Sequence, residues 1–256
     1  MSTTAPSYRT SKTSAEAHSP VFVTTHWSVV LAAAANSDTD KAQEALEKLC
    51  RNYWYPLYAY VRRRGQSAQD AQDLTQAFFA RLLERHWLES ADRERGRFRT
   101  FLLTAMQRFL CDEWDRMRAQ KRGGGAAHVP VQLDDAESRY GCDPADDCTP
   151  EQIYERQWAM TLLDTVLQRL RAEYESQGDG KLFGELHACL VGNKESLPYA
   201  ELGARLEITE GAVKVAVHRL RKRYRKLLRT EIAQTLAVDE NVDEELHYLF
   251  AVLSGK

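Results

Sequence analysis

Five side chains able to grip phosphate or read a base edge fall within one short stretch: Lys214, His218, Arg219, Arg221 and Lys222. They stand clear of Val213, Val217, Leu220 and Tyr224, which recur at three and four residues, the period of one helical face. Such a helix turns its apolar side to a core and offers its cations to a polyanion. From Gly211 to Arg229 there are eight cations and no acid. Arginine and lysine pair with guanine edges or merely hold phosphates, and the pattern leaves that choice open.

A second set lies earlier. Phe98, Phe101, Phe109 and Trp114 are interleaved with Arg97, Arg99, Arg108, Arg116, Arg118, Lys121 and Arg122. Rings that stack on bases beside cations that hold a backbone are the requirements of single-stranded DNA. On an amphipathic helix most of these rings must be core, so only one or two are expected at the surface. Hydrolytic or redox chemistry finds no support. There is no nucleophile–base set and no phosphate loop, so neither enzyme activity nor a cofactor is expected. Asp134-Asp135 and Asp146-Asp147 are carboxylate pairs without a fixed His partner. Cys142 and Cys148, with His128 upstream, have neither the spacing nor the ligand count of a zinc site.

The elements that position these residues read as helices throughout. Leu197, Ala200, Leu202, Ala204 and Leu206 form a short helix, and Thr209 caps the next one from Glu210. The pair is a helix-turn-helix. In the first half, Thr25 caps a helix with Trp27, Val30 and Leu31. A second helix runs from about Asp40 to a stop at Gly65, with Ala45, Leu49, Tyr53 and Leu57 on one side and a kink at Pro56. Ser67 and Asp70 make a capping box for a third, which turns Ala71, Leu74, Phe78, Leu82 and Leu83 inward. A fourth runs from about Phe98 to Gln120. No segment shows a period of two, so the fold class is all-α.

The 256 residues carry 35 basic and 37 acidic side chains, a net charge of −2. The charge is segregated: eight acids against Arg139 alone lie between Asp134 and Glu155. With glycines at 123–125 and prolines at 130, 144 and 150, that stretch reads as an acidic linker. The expected organisation is a disordered tail at 1–23, a helical domain at 24–122, the linker at 123–149, the helix-turn-helix domain at 150–230 and an extension at 231–256. In the extension, Val242, Leu246, Leu249, Phe250 and Leu253 share a face and acids crowd the start, as the helix dipole favours. It reads as a packing helix over the helix-turn-helix, or as an acidic latch over the cationic helix. Five unpaired-looking cysteines, no secretory leader and no long apolar run lead to the expectation of a cytoplasmic protein with reduced thiols and no membrane partner.

Two blocks resemble a bacterial RNA polymerase sigma factor of the sigma-70 family, in its extracytoplasmic-function (ECF) branch. Asp70-Ala-Gln-Asp73-Leu-Thr-Gln76-Ala-Phe-Phe79 is similar to D-A-E-D-L-x-Q-E-x-F of region two. Arg97-Phe-Arg-Thr-Phe-Leu-Leu-Thr-Ala-Met and Asp112-Glu-Trp-Asp-Arg-Met-Arg follow it. Tyr199-Ala-Glu201-Leu-Gly, Ile208-Thr-Glu-Gly211-Ala-Val-Lys214 and His218-Arg-Leu-Arg221 are similar to region four. The opening Thr24-Thr-His-Trp-Ser-Val-Val and the tail resemble a planctomycete-like subgroup.

The resemblance implies partners and roles. Asp70, Asp73, Gln76 and Phe79 would dock on the coiled coil of the polymerase β′ subunit, with the β flap receiving region four. Arg97, Phe98, Arg99, Arg108, Asp112 and Arg116 would hold the minus-ten element, one unpaired base being captured by the loop from about His86 to Arg97. Lys214, His218, Arg219, Arg221 and Lys222 would meet the minus-thirty-five element in the major groove. The acidic linker would thread the RNA path. An anti-sigma factor or a regulatory kinase is a further expected partner. Four departures stand out: Ala77 for Glu, Gln107-Arg108 for Arg-Asn, Glu207 for a turn glycine, and Val215-Ala216 for Ser-Arg. The alternative is a helix-turn-helix regulator that binds duplex DNA without polymerase.

Overall fold

The computed structural model describes residues 30, 40–120, 136–137, 140, 148–191, 199–237 and 240–255. Among them are nine α-helices, two 3₁₀ turns and no strand. The helices are α1 (Asp40–Arg63), α2 (Ala68–Glu84), α3 (Phe98–Gln120), α4 (Pro150–Ser176), α5 (Gly180–Leu186), α6 (Ala188–Val191), α7 (Tyr199–Leu206), α8 (Glu210–Thr235) and α9 (Val242–Leu253). None of them is long and apolar enough to cross a membrane. Cys50, Cys111, Cys148 and Cys189 are free thiols. Thr25, Trp27, Leu31, Cys142 and most of the acidic stretch lie outside the described residues; Val30 is helical and buried.

The first helices start and stop where local chemistry dictates. Ser67 accepts the backbone N–H of Asp70 at 3.1 Å, which caps α2, and its own hydroxyl donates to the Asp70 carboxylate at 2.6 Å. The helix α1 runs through Pro56 and gives way at Gly65, whose φ of 87° suits glycine. Its middle is buried all round: Leu57, Tyr58, Ala59, Tyr60 and Val61 follow one another in the core. A helix apolar on every side needs neighbours on every side, and α1 has them in α2 and α4.

The helix α4 is the spine. Pro150 stands at its start rather than in a loop, because a proline lacks only an N–H that a first turn would leave unused. Thr149 and Gln152 form a reciprocal capping box around it. Tyr154, Trp158, Leu162, Val166 and Leu170 then run along its buried side. Each such side chain contributes about 1.5–3 kcal/mol on burial. The front of α4 packs on α1, and its back packs on α8 and α9. Arg223 of α8 pairs bidentately with Glu173 at 2.6 and 2.7 Å, and Arg169 of α4 pairs with the buried Glu231 of α8.

The helix-turn-helix is α7 and the first half of α8. Thr209 accepts the N–H of Ala212 at 3.2 Å, so the cap is where the sequence puts it. Val213, Val217 and Leu220 are buried and Tyr224 is partly buried. Glu207 takes the turn position, with φ of 57° in the left-handed region. The tail forms α9 on a cap from Asn241, but only Leu249 of its apolar face is fully buried; Phe250 is 58% exposed. The helix covers α4 and α8, and it does not lie over the cations Lys214, His218, Arg219 and Lys222, which are exposed.

Candidate nucleic-acid interface

Between α2 and α3 the chain turns twice in 3₁₀ form, Trp87–Ser90 and Arg93–Arg95. His86 enters the first turn with φ of 51°, and Gly96 leaves the second with φ of 123°, where a side chain would be strained. Asp92 steadies the second turn by accepting the N–H of Glu94 at 3.0 Å. The first of these turns packs on α2, and two adjoining clefts lie between the loop and α3. The larger, about 690 Å³, runs from Ser90, Asp92 and Arg95 past Arg97 to Phe101 and Arg108. The smaller, about 410 Å³, is lined by Trp87, Ser90, Phe101, Ala105, Arg108 and Asp112. Phe101 is partly exposed and stacks on the buried Phe98 at 5.8 Å and 28°, so its free face forms a platform. Arg108 and Asp112 are exposed beside it. An aromatic platform, an arginine and a carboxylate in a cleft of this size offer stacking and edge contacts to one unpaired base.

The aromatic and basic residues at the start of α3 and along it divide by burial. Phe98 and Phe109 are core, with Phe109 edge-on to Phe78 at 5.7 Å. Trp114 is partly exposed under the guanidinium of Arg64 at 4.8 Å. Arg116 is exposed and pairs with Glu113 at 2.8 Å. Arg97 keeps 26% of its side-chain surface and is held by Glu240 at 2.6 Å and Glu245 at 2.9 Å. Arg99 is 2% exposed, paired with Glu155 at 2.9 Å and Glu245 at 2.6 Å, with Trp158 under its guanidinium at 4.2 Å. Burial opposes its charge, but Glu155 and Glu245 outweigh burial and hold its pKa above the usual value. Burial raises the Glu155 pKa, with the Glu245 charge adding to it and Arg99 opposing.

Sequence reasoning set Phe79, Phe98 and Arg99 on contact surfaces; the structure puts all three in the interior. Phe79 is 7% exposed and lies edge-on to Phe78 at 5.5 Å, because the inward side of α2 is wide enough to take both rings. Phe98 meets Tyr53 of α1 edge-on at 5.5 Å. On the outside of α2, Asp70 is exposed, while Asp73 and Gln76 are partly exposed.

On α8, Lys214, His218, Arg219 and Lys222 form the exposed side of the second helix of the helix-turn-helix. Lys214 pairs with Glu210 at 2.7 Å, which raises its pKa. Arg221 differs: it turns back and donates to the carbonyl of Cys189 at 2.7 and 3.1 Å, tying α8 to α6. The loop from about His86 to Arg97 is the expected site of base capture, and the clefts draw Trp87 and Ser90 from it; what escaped the sequence reading is the pairing of Glu155, Glu240 and Glu245 with Arg97 and Arg99. The acidic start of α9 was the one signal available for Glu240 and Glu245.

Comparison with known proteins meets this geometry. Residues 49–122, which hold most of α1, then α2, the two turns and α3, match the Sigma-70 region 2 family. The chain is 25% identical over 194 residues to the ECF RNA polymerase sigma factor SigE of Mycolicibacterium smegmatis, across 76% of this chain. The chain spans 65% of the length of that relative. No solved structure matches. Over residues 49–122, therefore, this chain is similar to sigma-70 region 2, and over three quarters of its length it is similar to an ECF sigma factor.

Proposed function

We propose that this protein is an ECF-type sigma factor, which binds core RNA polymerase and directs it to promoters. The carrying observation is the paired cleft over Phe101, Arg108 and Asp112, set within the stretch that matches region two. A cleft that admits a base only when it has left the duplex turns binding energy into strand separation. Unstacking a base costs about a few kcal/mol, within reach of one stacked ring and one arginine. No covalent chemistry is involved, and none of the residues argued for is a catalyst.

The remaining roles follow position. Asp70, Asp73 and Gln76 present acid and amide from one side of α2 to the β′ coiled coil. Lys214, His218, Arg219 and Lys222 enter the major groove at the minus-thirty-five element, while Arg221 serves the fold. Arg97, Arg108, Asp112 and Arg116 meet the minus-ten strand. The β flap, an anti-sigma factor or a kinase complete the proposed partners. The Thr24–Val30 opening and the tail support the planctomycete-like subgroup.

The test is transcription in vitro with bacterial core polymerase and a library of upstream DNA fragments. Starts that need the protein, and that disappear with Arg108→Ala or with Lys214→Ala/Arg219→Ala, establish the activity. Tight binding to duplex DNA with neither starts nor association with core supports instead a regulator acting without polymerase.

A further inference from the structure

We propose that α9 and the turn before it form an acidic clasp that closes the start of α3 against single-stranded nucleic acid. The proposal rests on the reading of α3 as a DNA-facing helix, and adds a means of controlling it.

Three ion pairs, one hydrogen bond and one ring define the clasp. Glu240 holds Arg97 at 2.6 Å, and Glu245 holds both Arg97 at 2.9 Å and Arg99 at 2.6 Å. Arg93, in the second 3₁₀ turn, donates to the carbonyl of Leu236 at 3.0 Å. Tyr248 of α9 lies 5.8 Å from both guanidinium groups. A carboxylate and a phosphate use the same donor geometry on a guanidinium, so the two compete for Arg97, which keeps 26% of its side-chain surface, while the buried Arg99 only anchors Glu245. Glu240 also lines the larger cleft, so the clasp is part of its wall.

The seat of the clasp is suited to release. Glu245 is fully buried, yet the apolar anchoring of α9 is slight: Leu249 is buried, Val242, Leu246 and Leu253 are partly so, and Tyr248 and Phe250 are 41% and 58% exposed. Charge carries much of the contact, and charge is what a polyanion displaces. The recognition helix is left open, because His218, Arg219 and Lys222 are exposed. The clasp therefore governs the single-strand step and not duplex binding.

The experiment measures fluorescence anisotropy of a labelled single-stranded oligonucleotide of mixed sequence, and of a duplex, against the full chain. Glu240→Gln/Glu245→Gln is expected to tighten single-strand binding at least about tenfold, the scale of one or two competing charge-assisted contacts, with duplex binding unchanged. A folded double variant that binds the single strand no tighter overturns the clasp, while weakening by Arg108→Ala in the same assay keeps the interface reading intact. If no form binds the single strand, the interface reading itself fails. Where the double variant does not fold, Glu240→Gln alone serves, since Arg97 then keeps Glu245. On the unaltered chain, hydrogen exchange across residues 242–253 is expected to quicken with saturating oligonucleotide, and an unchanged rate overturns the proposal.

Discussion

Ile208 donates its backbone N–H to the carbonyl of Gly203 at 3.0 Å, and a Cβ on Gly203 would stand 2.8 Å from the carbonyl oxygen of Ile208. The two backbones cross this closely because α7 must end and α8 begin within a few residues. Gly203→Ala forces that crossing apart and is expected to cost about 1–3 kcal/mol, the range of an overpacked interior. Four residues on, Glu207 holds φ of 57° without being glycine. Glu207→Gly is expected to be neutral or stabilising by about 1 kcal/mol, since the side chain that resists the left-handed region is removed. Thermal melts should fall for Gly203→Ala and hold or rise for Glu207→Gly; a parallel fall would show the turn to be built otherwise.

The charge cluster at Arg99 makes a second prediction. Arg99→Met keeps volume but removes the cation paired with Glu155 and leaves Glu245 with Arg97 alone. Breaking a buried pair from one side costs about 3–5 kcal/mol. Urea denaturation should show a loss of that size, and a loss below about 1 kcal/mol would mean that water reaches the cluster.

The two surfaces proposed for DNA are expected to separate by substrate. Arg108→Ala should weaken single-strand binding about tenfold by removing one charge from the cleft, with duplex affinity kept. Lys214→Ala/Arg219→Ala should do the reverse, and flatten the slope of log affinity against log salt by roughly 0.9 for each phosphate that is no longer neutralised. Titrations at several salt concentrations decide this, and a shared weakening across both substrates would merge the surfaces into one.

Glu137 supplies a pH dependence. It pairs with Arg62 of α1 at 2.6 and 3.1 Å and accepts the Tyr58 hydroxyl; the Arg62 contact, first of all, holds its pKa below the usual carboxylate value against the effect of burial. A depressed folded-state pKa gives stability that is present above the unfolded value and is lost as pH falls through the folded one. Acidification below the ordinary glutamate range should therefore loosen Glu137 from Arg62 and Tyr58 of α1. The titration of the Glu137 carboxyl by NMR follows it, and Glu137→Gln should remove that part of the slope of stability against pH.

What could be read from the sequence was local. The caps at Ser67 and Thr209, the helix from Phe98 to Gln120 and the exposed side of the recognition helix depend on neighbours within four residues. What could not be read was supplied from afar. Arg99 looked like a DNA contact because its partners Glu155 and Glu245 belong to α4 and α9. Phe79 continued an apparent surface motif, while a second ring, Phe78, drew it inward. The helix α4 gave little periodic signal because it is buried on several sides, with Gln157 and Thr165 among its interior residues.

The separation of Arg99 from Glu245 along the chain also sets an order in time. Glu245 is made 146 residues after Arg99. At about 5–20 residues per second, the start of α3 is on hand for roughly 7–30 s before its last carboxylate exists. A nascent chain thus passes through an interval in which Arg97 and Arg99 lack both Glu240 and Glu245, and are open to any anion nearby. Translation itself ends that interval, so the newest molecules in a cell are the least restrained.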